Sequence, residues 1–337
     1  MNQDVLDLLK GHKKLSEVDK MEFISTGCYA LNKIITGRYN EGIPVGGIVQ
    51  LRGNSSTGKT LFATTFMSAA QEAGWYVKML DAENTFSPDW GEMLGIDSKT
   101  LLYSTPDSLE SAFGDVENTV AQIREHDKKT PIMLVIDSVA VLPTQEEMDR
   151  ETISTTTNTD GARRALIFGS LLRKMNSKLK KNRATLIVIN QIRNKIMSTP
   201  HGNPETTAAG GKALEFYLSV DLNTISNKTS NVLKDGKIPI GIEGRIQAKK
   251  NKLGVPFREC DFKVIFDEGL DPFWGLEELL SEDGLIDISS TGRRSVGGLA
   301  FKKNEISDVL FDRTMKNPEL DKVREMFGIS LKEATNG

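Results

Sequence analysis

The stretch GGIVQLRGNSSTGKTLFATTFMSAAQEAG, Gly46–Gly74, decides the fold. Its opening, GGIVQLRG, is a short apolar run bounded by glycines, the pattern of a buried strand. Its close, from Thr60 onward, carries apolar residues at helical spacing. Between them Gly53–Thr60, GNSSTGKT, fits the GxxxxGKS/T pattern in the strand–loop–helix setting that gives the pattern its meaning. There the backbone of Gly53, Asn54, Ser55, Ser56, Thr57 and Gly58 and the helix N-terminus can hold phosphates. Gly53 and Gly58 permit tight turns with no side chain in the phosphate space. Lys59 should reach the outer phosphates of a nucleotide, and Thr60 should offer its hydroxyl to Mg2+. A chance glycine-rich turn is the other reading, and it accounts for neither the spacing nor the flanking elements.

Three further apolar runs follow at wide intervals: WYVKMLDAE at 75–83, PIMLVIDS at 131–138 and ATLIVINQ at 184–191. Helical patterns such as SLESAFGDVENTVAQIREH at 108–126 lie between them. The alternation predicts a mostly parallel sheet with helices on both faces, joined by right-handed crossovers. After Gly211, EFYLSVDLNTI, GIEGRIQAKKNK and ECDFKVIF read as more strands, with an antiparallel edge. A helix is expected near GCYALNKII. From residue 271 onward, short helices and the turn-rich SSTGRRSVGG predict a small second domain. The segment DVLDLLK at 4–10 has an apolar face of Val5, Leu6, Leu8 and Leu9. It is too short to stand alone and must pack on its own body or on a neighbour.

With 337 residues, 38% of them apolar, the chain can bury a large core. Its net charge of −3 neither supports nor excludes nucleic acid, because patches matter more than totals. Cys28 and Cys260 lack the spacing of a disulfide scaffold or metal knuckle and read as buried thiols in a reducing compartment. No apolar run approaches the ~20 residues needed to span a bilayer. The N-terminus lacks the basic start and apolar core of a signal peptide. A cytoplasmic location and no membrane partner are therefore expected.

Ligands of such sheets sit outside the carboxyl ends of the strands. Asp137 closes one run and can hold Mg2+, or cap a helix. Glu83 closes another and can orient and deprotonate an attacking water. Asp81 competes with it for that part. Gln191 closes a third, where its amide can donate to a γ-phosphate. A long polar segment begins directly after it, so nucleotide state could order or release that segment. A surface loop with no partner is the alternative.

Residues 162–183, ARRALIFGSLLRKMNSKLKKNR, hold eight basic residues and no acidic one. Leu166, Ile167, Leu171, Leu172, Met175 and Leu179 form a candidate buried stripe. Arg163, Arg164 and Arg173 belong to the opposing positive face, which would suit phosphate or merely be solvated. The segment after Gln191 adds Arg193 and Lys195. It has no Phe, Tyr or Trp between 192 and 211, so base stacking is not expected and Ile196 or Met197 would insert instead. Lys250 and Lys252 fall on one face of a strand. They are ordinary surface lysines, or they supply charge to another subunit's phosphates.

Over residues 22–270 the chain resembles the RecA family of ATP-dependent DNA recombinases. The resemblance rests on an ordered series: STGCYALN, GIPVGGIVQLRGNSSTGKT, LDAE, LVIDSVAVL, INQIR, GNPETT followed by GG, then KNK before PF. It implies an α/β fold, with a mostly parallel-sheet P-loop ATPase core of RecA type. A short N-terminal oligomerisation segment (1–21) and a small C-terminal α/β domain (271–337) would flank that core. It implies ATP and Mg2+ as cofactors, and a DNA-dependent ATPase that forms helical filaments on single-stranded DNA and exchanges strands with a homologous duplex. Single-strand-binding and loader proteins would be partners.

The resemblance also implies roles. Lys59 and Thr60 match the phosphate and magnesium residues, Asp137 the magnesium-side carboxylate and Glu83 the catalytic glutamate. Gln191 matches the amide coupling γ-phosphate to the second DNA-binding loop, 192–211, which includes Gly202, Asn203, Gly210 and Gly211. The first DNA-binding loop is 144–160. Lys250 and Lys252 match a pair that reaches a neighbour's ATP, and Phe216 lies where the family has an interface phenylalanine. The Asp137–Ser138 bond matches one that is cis in the family.

Some positions depart from the family. Trp90 stands where a tyrosine often stacks on adenine, and Ser87 where an aspartate commonly contacts it. Glu215 and Asp221 replace basic residues near the interface, and both DNA-binding loops are longer. These departures mark a divergent member and are compatible with a virus-encoded one acting in host cytoplasm. A ring-forming helicase of the same superfamily would lack the GNPETT segment and the paired lysines. A nucleotide-dependent regulator with no DNA activity would show an ATPase indifferent to DNA.

Overall fold

The strand that enters the glycine loop is buried along its whole length, at the centre of the main sheet. The computed structural model describes residues 20–149, 160–194, 206–208, 211–234, 236–312 and 314–329. In chain order the strands are β1 (Phe23–Ile24), β2 (Ile43–Pro44), β3 (Ile48–Gly53), β4 (Tyr76–Asp81), β5 (Leu102–Ser104), β6 (Ile132–Asp137), β7 (Ala184–Asn194) and β8 (Thr206–Ala208). They continue with β9 (Val220–Lys234), β10 (Ile238–Asn251), β11 (Glu259–Ile265), β12 (Gly269–Leu270), β13 (Asp287–Ile288), β14 (Arg294–Val296) and β15 (Leu299–Phe301). The main sheet runs β12-β11-β10-β9-β3-β7-β6-β4-β5. It is parallel from β9 to β5, and β10, β11 and β12 extend it antiparallel beyond β9.

The helices are α1 (Tyr29–Thr36), α2 (Lys59–Glu72), α3 (Pro88–Met93), α4 (Leu109–His126), α5 (Gln145–Met148), α6 (Asp160–Lys181), α7 (Gly211–Tyr217), α8 (Leu276–Glu282), α9 (Ile306–Phe311) and α10 (Pro318–Met326). Alternation along β3 sends Val49 and Leu51 into a cluster with Ile34, Phe62 and Phe66 of α1 and α2. It sends Ile48 to the other face, with Phe113 of α4 and Phe168 of α6. Complete burial of a side chain such as Phe62 contributes about 1.5–3 kcal/mol. The C-terminal elements join the first cluster through Leu280, Phe301, Leu310 and Phe327. Tyr39 stacks on Phe327 with ring centroids 4.9 Å apart, and its hydroxyl donates to Asp283 Oδ2 at 2.8 Å. Lys33 Nζ lies 2.5 Å from the same oxygen.

Four sequence expectations need correction. The run at 215–217, expected as strand, closes α7, because Leu214 and Leu218, one helical turn apart, both bury against the α4–α6 side. The strand expected to stop at Gln191 continues to Asn194 and pairs antiparallel with β8, so the following segment starts as a hairpin. On α6 the buried stripe is Phe168, Leu172, Met175 and Leu179, while Leu166 is 74% exposed. Arg294–Val296, expected as turn, is the central strand of a three-stranded sheet.

Cys28 and Cys260 are buried free thiols, and burial pushes the Cys28 thiol up to about 11. No helix among the described residues is long and apolar enough to cross a membrane.

Candidate active site

A cleft of about 460 Å³ opens at the carboxyl ends of β3, β4, β6 and β7. Its floor is the glycine loop. Gly58 has φ +83°, and a side chain there would strike Ile242. A Cβ on Gly53 would lie 1.9 Å from Thr224 Oγ1, so β9 packs where only glycine fits. The Thr57 hydroxyl turns inward, 2.7 Å from Thr224 Oγ1 and 2.9 Å from the Asn54 carbonyl. Lys59 Nζ donates to the Asn54 carbonyl at 2.5 Å. Burial pulls the Lys59 ammonium below its usual range, against the opposing charges of Asp137 and Glu83.

Thr60 Oγ1 donates to Asp137 Oδ2 at 2.7 Å. Asp137 is pushed up to about 6, chiefly by burial, with Glu83 and Asp81 adding repulsion against the Thr60 hydrogen bond and the Lys59 charge. Among the described residues no three His, Cys, Asp or Glu side chains group as a metal cage. A hydroxyl and a carboxylate beside a phosphate loop fit Mg2+, which takes one or two protein oxygens and completes its shell with water and phosphate.

Glu83 reaches into the cleft from the turn after β4, and Oε1 accepts from Ser138 Oγ at 2.9 Å and from Gln191 Nε2 at 3.2 Å. The Asp137–Ser138 peptide is cis. Asp81, the competing carboxylate, is buried and fully engaged. It accepts from the backbone N–H groups of Glu83, Thr85 and Phe86 and from the Tyr103 hydroxyl, at 2.9–3.1 Å. Asp81 therefore folds the turn that presents Glu83.

Trp90 lines the cleft, edge-on to Phe86 at 6.2 Å, and the Ser87 hydroxyl caps α3 by accepting from the Trp90 N–H. Opposing side chains went unnoticed in the sequence. Phe266, just past β11, and Asn231 and Ile242, from the β9–β10 pair, line the same cleft. The phenylalanine that closes the run ECDFKVIF was the signal available in the sequence. Nothing in local sequence shows that an antiparallel hairpin folds back onto the phosphate loop.

Other candidates lie outside the cleft. A register shift between Ala248 and Lys250 aligns Lys250 with Asp221, and Lys252 follows the strand end. Lys250 Nζ donates to the Glu215 carbonyl, and Lys252 Nζ to the Phe216 carbonyl at 2.8 Å, at the C-terminus of α7. The Phe216 side chain is 74% exposed. Arg163 pairs with Glu146 of α5 at 2.7 Å, Arg164 donates to the Val139 and Ala140 carbonyls, and Arg173 donates to the Tyr217 hydroxyl at 2.9 Å. The Arg193 backbone pairs with Thr207, and Gly211 opens α7. Lys195, Ile196, Met197, Gly202, Asn203 and Gly210 lie outside the described residues, as do residues 1–19 and 150–159. Asp221, expected near an interface, is instead 1% exposed, accepts from Gln50 Nε2 at 2.8 Å and pairs with Arg52. Its position in the parallel core excludes it from a surface contact.

The model of the RecA N-terminal domain family matches residues 6–271. This chain belongs to the RecA family. It is 33% identical over 314 residues to a protein named RecA from Kineococcus radiotolerans, covering 93% of this chain and 85% of that one. It is 36% identical over 276 residues to a RecA from Thermus thermophilus, covering 81% and 76%. A Chlorobaculum tepidum RecA is 33% identical over 315 residues, covering 92% and 85%. Membership in the RecA family carries a general function in DNA recombination and repair, with binding of ATP and DNA.

Proposed function

We propose that this RecA-family protein hydrolyses ATP as a filament on single-stranded DNA and drives homologous pairing and strand exchange. The observation that carries the reading is the convergence of Lys59, Thr60, Glu83, Asp137 and Gln191 on one cleft. The glycine loop and Lys59 hold the phosphates, and Thr60 and Asp137 hold Mg2+. Bound there, Mg2+ neutralises the charge of the outer phosphates. Trp90 and Phe266 offer aromatic faces to the base. Glu83 orients and deprotonates the attacking water, and Ser138 steadies its carboxylate.

Gln191 donates to the γ-phosphate. Because β7 runs straight from Gln191 into the hairpin with β8, the presence of that phosphate is passed to the segment that grips DNA. Lys250 and Lys252 face a neighbour's nucleotide, and the exposed Phe216 between subunits senses the same contact. Arg163, Arg164, Arg173, Arg193 and Lys195 hold the DNA backbone or shape the loops that do. Ile196, Met197 and the glycines at 202, 210 and 211, with Asn203, allow close approach of the strand. Base pairing between strands then supplies sequence recognition, with no protein readout of bases.

ATP hydrolysis with and without single-stranded DNA, paired with imaging of filaments and a strand-exchange assay, tests this reading. Stimulated turnover and nucleoprotein filaments are expected. DNA-independent turnover without filaments would overturn it.

A further inference from the structure

Beneath the phosphate loop, the centre of the sheet carries a polar strip where Val or Ile would be the stable choice. Gln50 and Arg52 of β3, Asn190 of β7 and Asp221 of β9 are all buried. Strand register sets Gln50 beside Asp221 and Arg52 beside both Asn190 and Asn223. Asn190 Nδ2 donates to Gln50 Oε1 at 3.1 Å, and Gln50 Nε2 donates to Asp221 Oδ1 at 2.8 Å. Arg52 Nη2 lies 3.2 Å from Asp221 Oδ2 without hydrogen-bond geometry. Arg52 Nε and Asn223 Oδ1 have no hydrogen-bond partner among the described residues.

A buried network left partly unsatisfied destabilises a fold relative to apolar packing. Stability therefore does not explain the strip, whereas its position does. Arg52 directly precedes Gly53 of the phosphate loop. Asn190 directly precedes Gln191. Asp221 is the register partner of Lys250.

We infer that the Asn190–Gln50–Asp221 chain, clamped by Arg52, is a positioning bridge that fixes the spacing between Gln191 and Lys250. It thereby couples the nucleotide held by one protomer to the nucleotide its neighbour presents to Lys250. The inference rests on the reading of Lys250 given under Proposed function. A displacement of β7 at Gln191 is carried through two side-chain hydrogen bonds to the strand that aligns Lys250. Neither Gln50 nor Asp221 touches a reacting atom.

The test is DNA-stimulated ATPase of the full chain across a range of ATP concentrations, giving kcat, KM and the Hill coefficient, with thermal melting alongside. Gln50→Met is nearly isosteric. It removes both hydrogen bonds and leaves the Arg52–Asp221 charges in place. It should keep a cooperative melt and a KM within about twofold, while the Hill coefficient falls from above 1 to about 1 and kcat falls several-fold. The double variant Q50E/D221N keeps the donation from Asn190, reverses only the second link so that position 221 donates to position 50, and should restore the Hill coefficient. Asn190→Leu, which removes the first link and leaves the Arg52–Asp221 charges in place, serves in the same assay if Gln50→Met does not fold. A folded Gln50→Met protein with wild-type Hill coefficient and kcat overturns the bridge, and so does a lowered melting temperature with cooperativity intact. Lys250→Ala separates the two levels. If it abolishes turnover while Gln50→Met keeps the wild-type Hill coefficient and kcat, the bridge alone fails. If Lys250→Ala keeps wild-type turnover, the reading of Lys250 fails too.

Discussion

Gln191 Nε2 donates to Glu83 Oε1 across 3.2 Å, so the proposed γ-phosphate sensor and the candidate base share one hydrogen bond. Gln191 lies in β7 and Glu83 in the turn after β4, strands separated in the sheet by β6, and the two meet only because both turn into the same cleft. An amide that holds the carboxylate in one state and a phosphate oxygen in another can link hydrolysis to motion of β7. Glu83→Gln keeps the size of the side chain and removes the base. It should lower kcat about 10²–10⁴-fold, while ATP binding and ATP-dependent DNA binding persist. Single-turnover hydrolysis and a nucleotide-binding titration check this together.

Lys59→Ala should abolish both ATP hydrolysis and strand exchange, because the ammonium at the loop is the one cationic side chain lining the cleft among the described residues. Normal exchange by that variant would remove the nucleotide from the mechanism. Asp137→Asn should raise the Mg2+ concentration needed for half-maximal turnover, since the Thr60–Asp137 pair loses its charge.

Lys250 and Lys252 lie on the α7 side, away from their own chain's cleft. If they serve a neighbour's nucleotide, Lys250→Ala and Lys59→Ala should each be inactive alone. Mixed, they should regain ATPase activity at interfaces that combine an intact Lys59 with an intact Lys250. Absence of complementation at every mixing ratio would show that the lysines act within their own chain or not at all.

The C-terminal elements are held to α1 by Asp283, which accepts from Tyr39 and pairs with Lys33. Burial alone would raise its carboxyl, but the Lys33 and Tyr39 hydrogen bonds and the Lys33 charge outweigh burial and hold it below the usual carboxylate range. A depressed carboxylate contributes stability that is complete above its unfolded value, about 3.9. That contribution fades as pH falls through the lower folded value. Asp283→Asn should cost about 1.5–3 kcal/mol at pH 7 and make the variant and wild type converge in melting temperature under strongly acid conditions. A constant gap across that range would contradict the assignment.

The parallel core was legible because β3, β4, β6 and β7 are short apolar runs separated by strongly periodic helices, and the glycine loop fixed where one of them ends. Glu83, Asp137 and Gln191 could be picked out because each closes an apolar run; only Asp137 ends its strand, with Glu83 in the turn after β4 and Gln191 inside β7, and the structure brings all three to one cleft. What escaped was non-local. The Asp81 and Glu83 carboxylates look alike in LDAE, and only the backbone N–H groups of the following turn distinguish the buried one. Phe266, Asn231 and Ile242 reach the cleft through an antiparallel extension whose packing no local pattern encodes. Asp221 reads as a surface charge until its partner Arg52, far away in sequence, is placed beside it. The helical ending at Phe216 and Tyr217 was hidden by aromatic residues that favour strands, and burial of Leu214 and Leu218 overrode that preference.

The most direct measurement compares the affinity of single-stranded DNA for the wild-type protein and for Gln191→Ala, each with a non-hydrolysable ATP analogue and with ADP. The account predicts that wild-type affinity falls at least tenfold, about 1.4 kcal/mol, on replacing the analogue with ADP, and that the variant binds DNA equally in both. If the variant kept the full nucleotide dependence, or the wild type showed none, Gln191 would not be the route by which the γ-phosphate governs the grip on DNA.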